Sequence, residues 1–193
     1  QEELANKLGV TFQAVSKWER GNSLPDITLL PSIADTLEIS LERLFGFKSS
    51  ENITSIYEEE YQIEDYYWGL IPSNMCYTVL ELLPPIKQLK VLDIGCGEGK
   101  DSVFFARNGY DVSAFDISTA GIQKLTDLCK KTKTKVNVFR ADINDYRLSS
   151  EYDILFSSGV LHYIKPELRQ EIFNNYKVFT NNGGIHSFNV FVE

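Results

Sequence analysis

The stretch LDIGCGEGKDS, residues 92–102, decides the fold, because it joins an apolar run to three closely spaced glycines. The run KVLDIG (90–95) has the apolar, β-branched character of a buried strand, and GKDSVFFARNG (99–109) has the spacing of an amphipathic helix. Glycines between a strand and a helix let the backbone approach a ligand closely, and they leave the first N–H groups of the helix facing that ligand. We therefore predict that this stretch is the ligand-binding loop of an α/β domain.

The alternation of strand and helix patterns continues toward the end of the chain. Further strand patterns are DVSAFDIS (111–118), VNVFRAD (136–142), YDILFSSG (152–159) and GGIHSFNVFV (183–192), and the helix patterns are TAGIQKLTDLCKKTK (119–133) and PELRQEIFNNYKVFT (166–180). Strands separated by helices pair in parallel, so we predict an α/β fold with a Rossmann-like, doubly wound, mostly parallel sheet. Ligands of such sheets bind at the carboxyl ends of the strands.

Acidic residues close three consecutive strand patterns and indicate which ligand the loop receives. The loop reads GxGxG rather than the GxGxxG of dinucleotide sites, and a carboxylate at Asp93 would repel a pyrophosphate. The same carboxylate suits the ammonium and sulfonium of S-adenosylmethionine. Asp116, 21 residues after Gly95, is placed to accept ribose hydroxyls, and Asp142 to accept the adenine amino group. An NAD-dependent oxidoreductase is the alternative, because NAD sites also use an acid at the position of Asp116.

The segment VLDIGCGEGKDSVFFARNGYDVSAFDIS (91–118), with ADI (141–143) and YDILFSSGVLHYI (152–164), resembles the class I S-adenosylmethionine-dependent methyltransferases. It is most similar to their tellurite-resistance and thiopurine methyltransferase branch, over about residues 76–193. The resemblance implies methyl transfer to a small molecule or similar soft nucleophile. It implies these cofactor-binding residues: Asp93, Gly95, Cys96, Gly97, Gly99, Asp116, Ile117, Asp142, Ile143 and Ser157. Such sheets have seven strands, so we expect this domain, 76–193, to be truncated after its fifth; the alternative is that the fifth strand is an exposed edge.

The acceptor side of the predicted site offers one histidine and several aromatic rings. His162, just after the fourth strand pattern, is the candidate general base, although a packing role is the alternative for a lone histidine. Tyr66, Trp68 and Tyr163 are candidates to wall the acceptor pocket. Transfer from a sulfonium is an in-line displacement that relies on positioning and desolvation, so no nucleophilic residue is required. Neither an Asn/Asp-Pro-Pro-aromatic stretch nor a Pro-Cys pair occurs, which argues against methylation of nucleobases.

Residues 1–47 follow a different pattern, because their apolar residues keep helical spacing throughout. QEELANKLG and TFQAVSKWERG predict two short helices with a turn at Gly9 and an N-cap at Thr11, and Pro31 predicts a later helix start or kink. The whole segment resembles the Cro/C1 (XRE-type) helix-turn-helix, whose first helix would precede Gln1. That resemblance implies transcription regulation and binding of double-stranded DNA through Thr11, Phe12, Gln13, Ser16, Lys17, Arg20 and Asn22.

An alternative for this helical domain is a bundle that binds no DNA. Residues 1–50 carry 5 basic and 7 acidic side chains, a net charge of −2 that does not favour a phosphate backbone. For the whole protein, the corresponding alternative to an enzyme is a transcriptional regulator whose sheet domain only senses S-adenosylmethionine or its product. Cro-type domains often read two half-sites as dimers, so a homodimer is also expected by analogy.

The segment 48–75 joins the two domains and changes in character along its length. Its start is a polar linker, and its later part, rich in carboxylates and aromatic rings, is predicted to cover a pocket or to fill the seam between domains. The three cysteines show no CxxC spacing, so we predict neither disulfides nor a metal site. With a net charge of −8 and no apolar run of membrane-spanning length, the chain is expected to be soluble and cytoplasmic.

Overall fold

The computed structural model describes residues 2–37, 41–44 and 55–190, and the chain divides into two compact units, residues 1–52 and 53–193. The sequence set the segment 48–75 apart from the sheet domain, whereas the structure groups its residues from 53 onward with the sheet. Three predicted features lie outside the described residues: the end of the helical region 1–47 from residue 45 onward, the polar start of the segment 48–75 up to residue 54, and the last residues of the fifth strand pattern.

The first unit is helical where it is described. Its helices are α1 (Glu2–Leu8), α2 (Phe12–Glu19), α3 (Leu30–Thr36) and α4 (Leu41–Leu44), with a 3-10 turn at Ile27–Leu29. Gly9 makes the turn between α1 and α2 at a φ of +66°, and the Thr11 hydroxyl caps α2 by accepting the N–H of Ala14 at 3.2 Å. Pro31 lies in the first turn of α3, so it starts this helix rather than kinking it. Ala5, Leu8, Val15, Ile33 and Ala34 form the buried core of the unit.

The second unit is built on five parallel strands in the order β3-β2-β1-β4-β5. They are β1 (Lys90–Ile94), β2 (Asp111–Asp116), β3 (Val136–Arg140), β4 (Tyr152–Ser158) and β5 (Thr180–Asn189). Because β1 is central, Val91, Leu92 and Ile94 are fully buried. This is the parallel sheet that the alternating pattern predicts.

Helices cover both faces of the sheet. They are α5 (Glu58–Gln62), α6 (Asn74–Leu82), α7 (Lys100–Arg107), α8 (Thr119–Thr132) and α9 (Arg169–Val178). Successive strand residues point to opposite faces. Val91 accordingly belongs to a buried cluster with Phe105 of α7, whereas Leu92 belongs to one with Ile172 of α9. The doubly wound arrangement leaves the carboxyl ends of the strands clear for a site.

Two features differ from the sequence prediction. Helices α5 and α6 were not predicted, because both are short and their segment is rich in aromatic and polar residues. Strand β5 begins at Thr180 rather than at Gly183. Tyr152 of β4 pairs with Thr180 and Ile154 with Ile185, so the extra residues of β5 between these pairs, which include Gly183 and Gly184, form an irregularity in the strand. In the part of the chain that the structure describes, no helix is both long and apolar enough to cross a membrane.

Candidate functional site

A cavity of about 360 Å³ lies where β1, β2, β3 and β4 end. This volume falls in the range of roughly 300–1,000 Å³ that is usual for small-molecule sites. The residues that follow each strand supply its floor, and the segment 55–69 supplies a further wall. Residues distant in sequence therefore meet at the edge of the sheet that the fold favours for ligands.

The glycine loop between β1 and α7 forms one side of this cavity. Gly95, Gly97 and Gly99 have φ values of +72°, +51° and +87°, a region in which other residues are strained. A Cβ atom on Gly95 would lie 2.5 Å from a methyl group of Val160, and one on Gly99 would overlap the side chain of Leu125. These positions thus require glycine for backbone conformation and for packing alike.

Gly97 admits the ring of Tyr61 from α5. A Cβ atom on Gly97 would lie 2.9 Å from the Tyr61 hydroxyl. Gly121 of α8 lies on another side of the same ring, because its Cβ would come within 3.1 Å of Tyr61 Cδ2 and 2.9 Å of the Gly97 carbonyl oxygen. Tyr61 is only 5% exposed, and burial raises the pKa of its hydroxyl, with the Asp116 charge adding to the effect. Two glycines therefore form the slot that holds this ring over the loop.

Asp116 orders the loop while it lines the cavity. Its two carboxylate oxygens accept the N–H groups of Gly97 and Ser118, each at 2.8 Å. The group is 9% exposed, and burial raises its pKa although these backbone bonds act in the opposite direction. Each carboxylate oxygen has a further lone pair, so Asp116 can hold the loop and still accept a ligand hydroxyl.

Asp93 is more deeply buried than its expected role implies. It is 2% exposed and accepts a hydrogen bond from the Ser102 hydroxyl. Burial, aided by the nearby Asp101 charge, raises the pKa of Asp93 to about 8. At neutral pH the carboxyl group is therefore mostly protonated, and the attraction that the sequence assigned to its charge depends on pH.

Most of the other predicted cofactor residues also line the cavity. Asp142 does so with one oxygen accepting the backbone and side-chain N–H groups of Asn144, at 2.8 and 3.1 Å. Cys96, Ile117 and Ile143 are lining residues too, and burial raises the pKa of the Cys96 thiol.

Ser157 is the exception among these residues. It is fully buried, does not line the cavity, and donates its hydroxyl to the Ile94 carbonyl at 2.9 Å. The next residue, Ser158, lines the cavity instead, because neighbours on a strand face opposite sides of the sheet. Ser158, and not the predicted Ser157, therefore lies at the cavity.

The structure separates the four residues predicted for the acceptor side into two groups. Trp68 and Tyr163 line the cavity, and they are 43% and 40% exposed. Tyr66 does not line it and lies instead beneath the Lys124 ammonium, 5.2 Å from its ring centre. His162 does not line it either; its ring packs against Tyr163 with centroids 4.0 Å apart. The candidate general base therefore contacts a residue of the cavity wall but does not itself line the cavity.

Aromatic rings from the segment 55–69 form a wall of the cavity that contacts the glycine loop, and we call residues 55–69 the cap. The Tyr57 ring lies 5.8 Å from those of Tyr61 and Tyr67 and 5.5 Å from that of Trp68, measured between centroids. Trp68 donates its indole N–H to the Tyr61 hydroxyl at 2.9 Å. The cap is consequently one aromatic cluster, of which Tyr57, Tyr61 and Trp68 line the cavity.

Two acidic residues that the sequence did not single out bond segments that precede β1: Glu98 of the loop bonds the cap, and Asp101 of α7 bonds Ser73 at the start of α6. Glu98, 3% exposed, accepts the backbone N–H groups of Tyr67 and Trp68 and binds the Lys124 ammonium. Asp101, 5% exposed, accepts the Ser73 N–H at 2.7 Å. No local signal marks either residue, because an acid beside a glycine or in the first turn of a helix is ordinarily exposed.

The residues predicted to contact DNA lie on α2 or directly beside it in the first unit. Thr11, Phe12, Gln13, Lys17, Arg20 and Asn22 are exposed, and Ser16 is partly buried. Arg20 donates its Nε–H to the Ser16 carbonyl at 3.0 Å. Among the described residues of both units, no three His, Cys, Asp or Glu side chains are grouped to hold a metal ion.

Comparison with protein families gives one match for each unit. The family described as tellurite resistance protein TehB matches residues 54–192, and a helix-turn-helix family matches residues 1–44. A probable S-adenosyl-L-methionine-dependent methyltransferase TehB of Haemophilus influenzae is 32% identical over 122 residues, covering 63% of this chain and 43% of the relative. A ubiquinone biosynthesis O-methyltransferase of Rickettsia canadensis is 28% identical over 98 residues, covering 51% of this chain and 41% of the relative. The chain thus spans about two fifths of the length of these curated relatives.

Solved structures share the fold of the sheet domain. The crystal structure of TehB from Haemophilus influenzae superposes with a TM-score of 0.55 at 26% identity, over 67% of this chain and 42% of that one. A methyltransferase from Geobacter sulfurreducens in complex with S-adenosyl-L-homocysteine gives a TM-score of 0.51 at 16% identity, over 68% of this chain and 51% of that one. The second similarity is one of fold alone.

Proposed function

Because the chain belongs to the tellurite resistance protein TehB family over residues 54–192, we propose that its sheet domain binds S-adenosylmethionine and transfers the methyl group to a small, soft nucleophile. The observation that supports this most strongly is the convergence of Asp116, Asp142 and the glycine loop on one cavity. The named relatives are methyltransferases, among them the TehB protein of Haemophilus influenzae.

The residues around the cavity suit the parts of this cofactor. Gly95 and Gly97 line the cavity with main chain alone, in the left-handed conformation that this loop adopts. Asp116 lies where β2 ends and keeps lone pairs for ribose hydroxyls, and Asp142 with Ile143 lies where an adenine ring would rest after β3. The GxGxG spacing of the loop and the position of Asp142 at the cavity favour S-adenosylmethionine over NAD.

The bound cofactor would supply an electrophilic methyl group on a sulfonium. The chain's part is then to hold, orient and desolvate, as an in-line displacement requires. Trp68 and Tyr163 stand at the cavity as rings that exclude water and position an acceptor, joined in this by Tyr57. We propose that His162 acts through Tyr163 by fixing the orientation of its ring, since the two rings are in contact.

Calorimetry and turnover assays test this function. Titration with S-adenosylmethionine and with NAD is expected to give binding of the first only. Release of S-adenosylhomocysteine is then measured over a panel of thiols, selenite and tellurite. Binding of NAD alone would contradict the proposed cofactor. Binding of S-adenosylmethionine without turnover on any acceptor would contradict the proposed methyltransferase activity.

For the first unit, we propose binding of double-stranded DNA and regulation of transcription, which the helix-turn-helix match over residues 1–44 supports. This match also favours a second candidate for the whole protein, a regulator that senses S-adenosylmethionine without turning it over. The two are separated by measuring affinity for operator-length DNA with and without the cofactor. A cofactor-dependent affinity combined with an absence of turnover would favour the sensor.

A further inference from the structure

Glu98 stands between the glycine loop and the cap. It lies between Gly97 and Gly99 in sequence, and both neighbours line the cavity, as Glu98 itself does. Its carboxylate turns toward the cap, where one oxygen accepts the Tyr67 N–H and the other the Trp68 N–H, each at 3.2 Å. A single side chain of the loop thus holds two consecutive peptide groups of the cap.

A second attachment strengthens this contact. Lys124 of α8 donates to Glu98 at 2.7 Å and to the Asp65 carbonyl of the cap at 2.6 Å. The lysine side chain is 15% exposed and the glutamate side chain 2%. Because both are largely removed from water, the pair is little screened by salt and loses much if one partner is removed.

The position of the contact relates it to ligand binding. The loop on one side of Glu98 is held by Asp116 through the Gly97 N–H, so the carboxylate expected to bind ribose is two hydrogen bonds away from the cap. The Trp68 ring on the other side lines the cavity and bonds Tyr61, whose hydroxyl faces Gly97. The loop and the cap are thus joined at two places beside the cavity, through Glu98 and through Tyr61.

We infer that Glu98 is a positioning residue that couples the two walls of the cavity, so that binding of the cofactor to the loop and closure of the aromatic cap reinforce each other. This inference rests on the proposed function. If the loop is fixed by a ligand, its carboxylate is fixed as well, and the peptide groups of Tyr67 and Trp68 open less often. By reciprocity, a protein whose cap is detached binds the cofactor more weakly by the same factor.

Amide hydrogen exchange measures the coupling at the two donors themselves. In the unaltered protein, S-adenosylhomocysteine is expected to slow exchange in peptides that contain the Tyr67 and Trp68 amides. In Glu98→Gln, these amides are expected to exchange faster without ligand, because the new NH2 group is a donor and opposes one of the two N–H groups. The matched control is Glu59→Gln, which makes the same change of charge at an exposed position of the cap.

Affinity and fluorescence give independent readouts below the unfolding temperature of each variant. We expect Glu98→Gln to raise the dissociation constant of S-adenosylhomocysteine about tenfold, equal to about 1.4 kcal/mol, and Lys124→Met, which keeps the carboxylate, to raise it less. With Trp18→Phe as background, Trp68 is the one remaining tryptophan, and its emission is expected to respond to ligand before but not after Glu98→Gln. A role in stability alone would change the unfolding temperature and leave both readouts unaltered.

The possible outcomes separate this inference from the proposed function. If the unaltered protein binds S-adenosylhomocysteine while exchange at Tyr67 and Trp68 stays the same, the coupling is refuted, whether or not Glu98→Gln folds. Equal affinity of Glu98→Gln and Glu59→Gln would refute it as well. If the unaltered protein binds neither S-adenosylmethionine nor its product, the proposed function fails, and ligand-free exchange in Glu98→Gln still decides whether Glu98 holds the cap.

Discussion

Replacing Asp116 by asparagine is expected to weaken cofactor binding strongly, because this carboxylate has two tasks. Its oxygens accept the N–H groups of Gly97 and Ser118 at 2.8 Å each, and it is expected to accept ribose hydroxyls as well. Asparagine keeps one oxygen, so its NH2 group must face one of these N–H donors. A hydrogen bond to a charged group contributes about 1.5–3 kcal/mol, which corresponds to a loss of roughly 10- to 150-fold in affinity.

The assay is calorimetric titration with S-adenosylhomocysteine, with urea unfolding to separate loss of fold from loss of affinity. The control is Asp111→Asn, at the exposed start of the same strand. A 2′-deoxy analogue of the ligand distinguishes the two tasks, since removal of the ribose hydroxyl is expected to weaken binding to the unaltered protein more than binding to Asp116→Asn. Equal affinities of Asp116→Asn and Asp111→Asn would refute the reasoning, since neither task would then contribute to binding.

Three further predictions concern other parts of the chain. The pKa of Asp93 is about 8 in the folded protein, against about 3.9 in the unfolded chain, so the stability that this residue contributes is fully present below about pH 3.9 and is lost as pH rises toward 8. Urea unfolding across this range is expected to show that the free energy of unfolding falls. The same dependence of this free energy on pH in Asp93→Asn would contradict the prediction. Gly99→Ala is expected to lower the free energy of unfolding by at least about 1–2 kcal/mol from backbone strain alone. The double variant with Leu125→Ala should lose less than the sum of the two single losses, by more than about 0.5 kcal/mol, because the smaller side chain at position 125 removes the clash. Strict additivity would contradict the clash. In DNA titrations over a range of salt concentrations, Lys17→Ala should weaken binding to all sequences and lower the slope of log affinity against log salt concentration by about 1. Gln13→Ala should mainly relax the sequence preference. Unchanged binding by both variants would favour a bundle that binds no DNA.

The order of strands and helices could be predicted from the sequence because each element carries its own period. The run before Gly95 forms a central strand that is buried from Val91 to Ile94, and three of these four residues are apolar. Helix α8 repeats its apolar residues at helical spacing over 14 residues, which is long enough for the period to be recognised. The cap lacks such a period, since α5 has only 5 residues and its rings pack on one another.

Individual site residues were harder to predict, because their roles depend on contacts distant in sequence. Glu98 meets Tyr67, 31 residues earlier, and nothing beside either residue indicates the pairing. Ser157 and Ser158 differ only in the face of the strand on which they lie, and a shift of one residue exchanges them. Asp116 and Asp142 were predicted to lie together from their position at strand ends, and both line the cavity because the topology of a parallel sheet brings these ends together.

Glu98 holds the cap through main-chain N–H groups, so these hydrogen bonds do not depend on which side chains follow in evolution at positions 67 and 68. Any residue except proline offers the N–H group that Glu98 accepts at positions 67 and 68. The side chains at these positions can therefore vary without loss of the bonds to Glu98, although Trp68 also bonds Tyr61 and packs on Tyr57. A designed library can therefore vary Tyr67, or Trp68 in the wall of the cavity, while the main-chain bonds to Glu98 persist.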